Sequence, residues 1–132
     1  MKMNWGFIAA ILLALAVIFG AFGAHSLKDK ISDYNLEVYN KAVFYQFIHA
    51  LGMLFIGIFL VGRNIKMFYL AALFLFLGII FFSGSLYLLS IREISFTANI
   101  AKILGPVTPI GGLCFVIGWV LLAMGLKKMN NV

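Results

Sequence analysis

Four runs free of Asp, Glu, Lys and Arg divide this chain: Trp5 to Ala24, Ala42 to Gly62, Met67 to Leu89, and Pro109 to Leu126. Each is close to the roughly 20 residues that carry an α-helix across a ~30 Å hydrocarbon core. The runs are continuous and do not alternate, and an unclosed sheet would leave backbone groups unpaired in lipid, so strands are excluded. The expected fold is all-α: a single membrane domain over residues 1–132, built as an antiparallel bundle of four transmembrane helices.

Composition supports the same reading. Hydrophobic residues make up 64% of the 132 and charged residues 11%, too little polar surface to coat a soluble globule of this size. Lys2 ahead of the first run, and the small residues Ala21 and Gly23, give the amino terminus some likeness to a secretion signal. The run is longer than a signal peptide's apolar stretch, so it is read as a retained span. The net charge of +6 is scattered over short loops with no basic stripe interleaved with aromatics. That pattern suits anionic headgroups beside the spans and excludes nucleic acid as a partner. Cys114 is the single cysteine, which rules out an internal disulfide and a cysteine-rich metal cage.

The connections set the topology. Lys28 to Lys41 is mixed in charge, with Asp33 placed to cap and Leu36, Tyr39 and Val43 at helical spacing, so an interfacial helix is expected between spans one and two. Arg63 to Lys66 is a tight turn that makes spans two and three antiparallel neighbours. In the segment Ser90 to Thr108, Ile94, Phe96, Ile100 and Ile103 among polar residues read as a stretch lying at the interface. Thr108 is expected to cap span four, with Pro109 at its first position and Pro106 outside the helix. Small residues recur as Ala16, Gly20 and Ala24 in span one and as Gly111, Gly118 and Gly125 in span four. These stripes allow close backbone approach, and spans one and four are expected to touch.

With four antiparallel spans, the polar residues of the runs gather at one membrane face. His25 closes span one; Tyr45, Gln46 and His49 share a face early in span two; Ser83, Ser85 and Tyr87 lie late in span three; Thr108 opens span four. His49 lies on the order of 10 Å inside its run, so it faces protein or water, not lipid. His25 reads first as a helix C-cap and His49 as a neutral imidazole bonded to a carbonyl or to Ser83 or Ser85. Against these stand a ligand-binding role for both and proton handling by His49. The histidines are on different spans with no carboxylate in either run, so no metal, haem or other cofactor is expected. Catalytic fingerprints are lacking too, which leaves no catalytic residue to name.

Gly-Ala-Phe-Gly-Ala-His at 20 to 25, Tyr-Gln-x-x-His-Ala-Leu at 45 to 51, Phe-Ser-Gly-Ser-Leu-Tyr at 82 to 87, Thr-Pro-Ile-Gly-Gly at 108 to 112 and Gly-Trp at 118 to 119 occur in that order. Together they resemble the domain-of-unknown-function 423 family of small integral membrane proteins, which includes eukaryotic transmembrane protein 256. The resemblance spans nearly the whole chain and implies a four-span protein of the bacterial cytoplasmic, or inner, membrane, with no activity attached. Between Ser90 and Gly105 this chain is several residues longer than the family's usual link.

The leading functional expectation is a non-enzymatic membrane protein whose polar cup binds a partner protein or an amphipathic small molecule. The alternatives are a small-solute transporter or channel and a His-dependent interfacial enzyme. Membrane lipids are the expected surroundings, with self-association or a larger membrane complex as the other partner class. Basic residues are equal in number on the two sides. The short Arg63 to Lys66 loop and the four acids opposite it favour cytoplasmic termini.

Overall fold

A computed structural model describes residues 3–94 and 101–129, and each of the four runs is helical, the second as far as Phe59. Helix α1 (Trp5–Phe22) starts where the Asn4 side chain accepts from the Phe7 N–H at 3.1 Å, and it passes into a π-helical turn, Gly23–Leu27. Helix α2 runs Asp33–Phe59. Helix α3 (Lys66–Gly78), a second π-helical turn (Ile79–Ser83) and α4 (Gly84–Ser90) form the third run. Helix α5 covers Ala101–Met129. Four rods result, Trp5–Leu27, Asp33–Phe59, Lys66–Ser90 and Ala101–Met129, each long and apolar enough to cross a membrane.

The rods associate as two tight antiparallel pairs. In the first, Gly6 meets Gly57 and Gly20 meets Val43, so position numbers fall along one helix as they rise along the other. In the second, Gly125 lies on Phe68, Gly118 on Leu75 and Gly111 on Phe82. A Cβ at Gly57 would strike the backbone of Gly6, and one at Gly111 would strike the backbone N of Phe82. At both crossings only glycine permits the spacing. Helices α2 and α3 join the pairs, with Met53, Ile56, Phe68, Ala71, Ala72 and Leu75 fully buried between them and their outer partners. Trp5 reaches across to Tyr69 and Phe76 of α3.

Expectations about packing and capping are corrected. Spans one and four do not pack on each other: α1 lies along α2, and α5 along α3. Gly20 meets Val43 of α2 and Ala16 is buried, while Ala24 is exposed, because the buried side of the first rod continues through Gly23 and Leu27 of the π-helical turn. Ser32, and not Asp33, caps α2, accepting from the Asn35 N–H at 3.3 Å; Asp33 falls in the first turn, where an acid suits the helix dipole. The interfacial stretch expected between spans one and two is thus the outer part of α2 itself, continuous with the span.

Helix α5 also begins earlier than Thr108 and takes both Pro106 and Pro109 inside it. The amides lost there would have served the carbonyls of Lys102 and Gly105, both on the exposed side near the helix start, and Thr108 Oγ1 adds a bond to the Leu104 carbonyl at 3.3 Å. Of the interfacial stretch expected between Ser90 and Thr108, residues 95–100, with Phe96 and Ile100, are outside the described residues, as is the core of the family-length difference.

Candidate functional site

The polar residues of the spans fall at one end of the bundle but divide into three groups, each tying different helices together. The first is centred on Gln46, buried at 3% exposure. Its Nε2 donates to the Leu12 carbonyl of α1 at 2.8 Å, and its Oε1 accepts from the Tyr87 hydroxyl of α4 at 2.8 Å. Tyr39, seven residues earlier on the same face of α2, donates its hydroxyl to the Phe19 carbonyl at 2.8 Å. The rings of Phe19, Tyr39 and Tyr87 meet edge to face, with both outer rings 5.1 Å from Tyr87. Above these rings a groove of about 200 Å³ opens between α1 and α4, lined by Phe19, Phe22, Tyr39, Tyr87 and Ile91.

The second group surrounds His49, at 6% exposure. Its Nδ1 lies 2.6 Å from the Tyr45 carbonyl, so Nδ1 carries the proton of that bond. The ring stacks on Phe115 of α5 at 3.4 Å between centroids, with Trp119 and Tyr45 beside it. Tyr45 is half exposed and lies 4.6 Å from the Phe82 ring. The third group joins α4 to α5: Ser85 Oγ donates to the Phe82 carbonyl at 2.9 Å and lies 2.6 Å from Thr108 Oγ1. Ser83 is fully buried, and its hydroxyl has no hydrogen-bond partner among the described residues.

His25 joins none of these groups. It sits in the first π-helical turn, exposed, with no bond to another described residue, so it does not cap the helix. A π-turn admits one extra residue, which rotates the succeeding positions about the axis; here Gly23 and Leu27 face inward and His25 faces out. A Cβ at Gly23 would lie 2.6 Å from the Tyr39 ring, so that glycine seats the tyrosine.

A clasp with no mark in the sequence closes this end. The Glu93 carboxylate, in the turn after α4, accepts from Ser32 N–H at 2.9 Å, Ser32 Oγ at 3.0 Å and Asn35 Nδ2 at 2.6 Å. It ties the turn that succeeds α4 to the start of α2 and lies two residues beyond Ile91 of the groove. The Ser32 amide, then its hydroxyl, Asn35 and the Arg92 charge hold the Glu93 carboxyl below its ordinary value, although desolvation opposes them. Tyr39, Phe19, Phe22, Ile91 and Glu93 are additions to the site residues expected from sequence. Tyr39 alone carries a signal there, since Asn35, Tyr39, Ala42 and Gln46 share one helical stripe.

Two spatially paired helical hairpins with lipid-facing apolar sides and a polar end define a multi-pass membrane protein of four spans. A profile of the family described as "Protein of unknown function (DUF423)" matches residues 19–112. The chain belongs to that family. It is 43% identical over 121 residues to a UPF0382 membrane protein of Staphylococcus epidermidis, covering 92% of this chain and 93% of that one. To UPF0382 membrane protein YwdK of Bacillus subtilis it is 43% identical over 123 residues, covering 92% and 94%. A UPF0382 membrane protein of Staphylococcus aureus is 45% identical over 121 residues, with 92% and 93% covered. No solved structure matches.

Proposed function

We propose that this protein is a non-enzymatic binder of an amphipathic small molecule, held in the groove between α1 and α4. The observation that carries the reading is the groove itself: about 200 Å³, walled by Phe19, Phe22, Tyr39, Tyr87 and Ile91, and beside the clasp that Glu93 makes with Ser32 and Asn35. An apolar body of modest size fits such a wall, while a polar group stays at its open rim. Beneath the groove the polar atoms are committed to one another through Gln46, Tyr87 and Tyr39. A site so wired selects by shape and apolar area. No hydrogen bond joins His49 to a hydroxyl among the described residues, which supports binding over base catalysis. The reading sets the protein in the bacterial cytoplasmic membrane with its termini in the cytoplasm, supported by the acid-free Arg63 to Lys66 turn.

Photo-crosslinking tests this in bilayers, with diazirine-bearing fatty acid and lysolipid as probes. Adducts are expected in the peptides that carry Phe22 and Ile91, and Ile91→Trp, which fills the groove, should remove them. Labelling spread evenly over lipid-facing positions such as Phe7 and Val116, unchanged by Ile91→Trp, would refute the reading.

A further inference from the structure

The opposite end of the bundle carries a second hollow, built by different means. Gly125 lets α5 close on α3, where a Cβ would stand 2.5 Å from the Phe68 ring and 3.4 Å from Met67 Cβ. This contact brings the end of α5 beside the start of α3. Between them opens a hollow of about 560 Å³ lined by Asn64, Lys66, Met67, Gly125, Lys128 and Met129. A neighbouring hollow of about 350 Å³ shares Met67 and Lys128 and adds Met124 and Lys127.

Charge and surface here are complementary to one class of molecule. Arg63, Lys66, Lys127 and Lys128 stand at this end, whereas Asp29, Asp33, Glu37 and Glu93, all the acids of the chain, stand at the other. The one ion pair among the described residues, Lys41 with Glu37 at 3.1 Å, also lies at that other end. Lys66 and Lys128 therefore face one hollow without a protein counter-charge among the described residues. The methionines between them offer an apolar, adaptable floor continuous with the lipid-facing side. The first turn of α3 borders the hollow without a side-chain cap, so its amides are uncommitted there as well.

We infer that this hollow binds the headgroup of an anionic phospholipid, with the phosphodiester between Lys66 and Lys128 and the acyl chains over Met67 and Met124. It is independent of the groove at the other end and holds or fails separately from it. General attraction of a basic face for acidic membranes would weigh every cation alike, whereas a built site weighs the lysines that line it.

The test measures lipid retention by native mass spectrometry, and thermal unfolding, in phosphatidylcholine micelles titrated with phosphatidylglycerol or with inorganic phosphate. Phosphatidylglycerol should bind and raise the unfolding midpoint; Lys66→Gln and Lys128→Gln should each weaken it about fivefold, with Arg63→Gln, outside the hollow, close to wild type. Unfolding midpoints without the anionic lipid should be the same in all four proteins, since these side chains are exposed. Equal loss in Arg63→Gln, or equal retention of phosphatidylcholine, would overturn the inference. So would matching stabilisation by inorganic phosphate, which would make the occupant a free anion.

Discussion

The two ends of this bundle are held together differently. At the end bearing the short Arg63 to Lys66 turn, contact is steric: Gly57 on Gly6, Gly125 on Phe68, and Trp5 against Tyr69 and Phe76. At the other end it is polar, through Gln46 with Leu12 and Tyr87, Tyr39 with Phe19, Ser85 with Thr108, and Glu93 with Ser32 and Asn35. Lipid offers no hydrophobic force between spans, so association rests on close packing and on hydrogen bonds. The first device fixes the spacing of α1 on α2 and of α5 on α3, and the hollow at that end opens only beyond the Gly125 contact, between the end of α5 and the start of α3. The second ties α2 to α1 and α4 through side chains, while α5 still meets the second π-turn closely at Gly111, and the groove beside Tyr39 and Tyr87 lies at that end.

That contrast orders the effects of substitution. The largest is expected at the steric end: Gly57→Leu drives a side chain into the Gly6 backbone and should cost about 3 kcal/mol or fail to fold, as measured by unfolding in mixed micelles. Gly111→Leu tests whether the same device is used where α5 crosses the second π-turn and should behave alike, since its Cβ meets the Phe82 backbone. A mild effect at Gly57 would break the distinction between the ends, whereas a mild effect at Gly111 would mean that α5 is held at the polar end by its hydrogen bonds alone.

Next comes the polar end. Gln46→Leu leaves the Tyr87 hydroxyl without its acceptor and should cost about 1 to 2 kcal/mol, with a Gln46→Leu, Tyr87→Phe cycle giving a coupling near 1 kcal/mol. Independent effects of the two would mean that the bond contributes nothing to holding α2 against α4. Ser85→Ala should cost less, about 0.6 kcal/mol, because Thr108 retains its bond to the Leu104 carbonyl.

The clasp gives a pH signature and no large energy, because Glu93 is exposed. Its carboxyl sits below its ordinary value of 4.5 when folded, so its stabilising contribution is present above that value. The contribution is lost as pH falls through the lowered folded value. Unfolding midpoints of the wild type and Glu93→Gln should therefore differ at neutral pH and converge in acid. A difference that is constant down to that range would remove Glu93 from the link between the ends of α2 and α4.

Much of this arrangement is legible in the chain. Charge-free runs reveal spans because a charge in lipid is costly, and short turns such as Arg63 to Lys66 dictate antiparallel order. The gathering of Gln46, His49, Ser85, Tyr87 and Thr108 at one end is a consequence of that order, and their common level in the bundle agrees with it. Helix partners are harder to read. A glycine stripe reveals a packing face but does not name the neighbour, and the stripe of α5 meets α3 where α1 was expected. The two π-turns leave no periodic mark because a single inserted residue shifts the face without changing composition. Gln46 bonds a backbone carbonyl of Leu12, a group every residue has, and Glu93 meets Ser32 across 61 positions. Neither contact leaves a pattern in one sequence.

The polar end, held by side-chain ties, must keep room for a guest if the groove is a binding site. Native mass spectrometry of the protein extracted from its own membrane, compared with Ile91→Trp, measures this most directly. The wild type is expected to hold one more amphiphile per chain than the variant, whatever the hollow at the opposite end retains. The same bound mass in both proteins would contradict a guest in the groove.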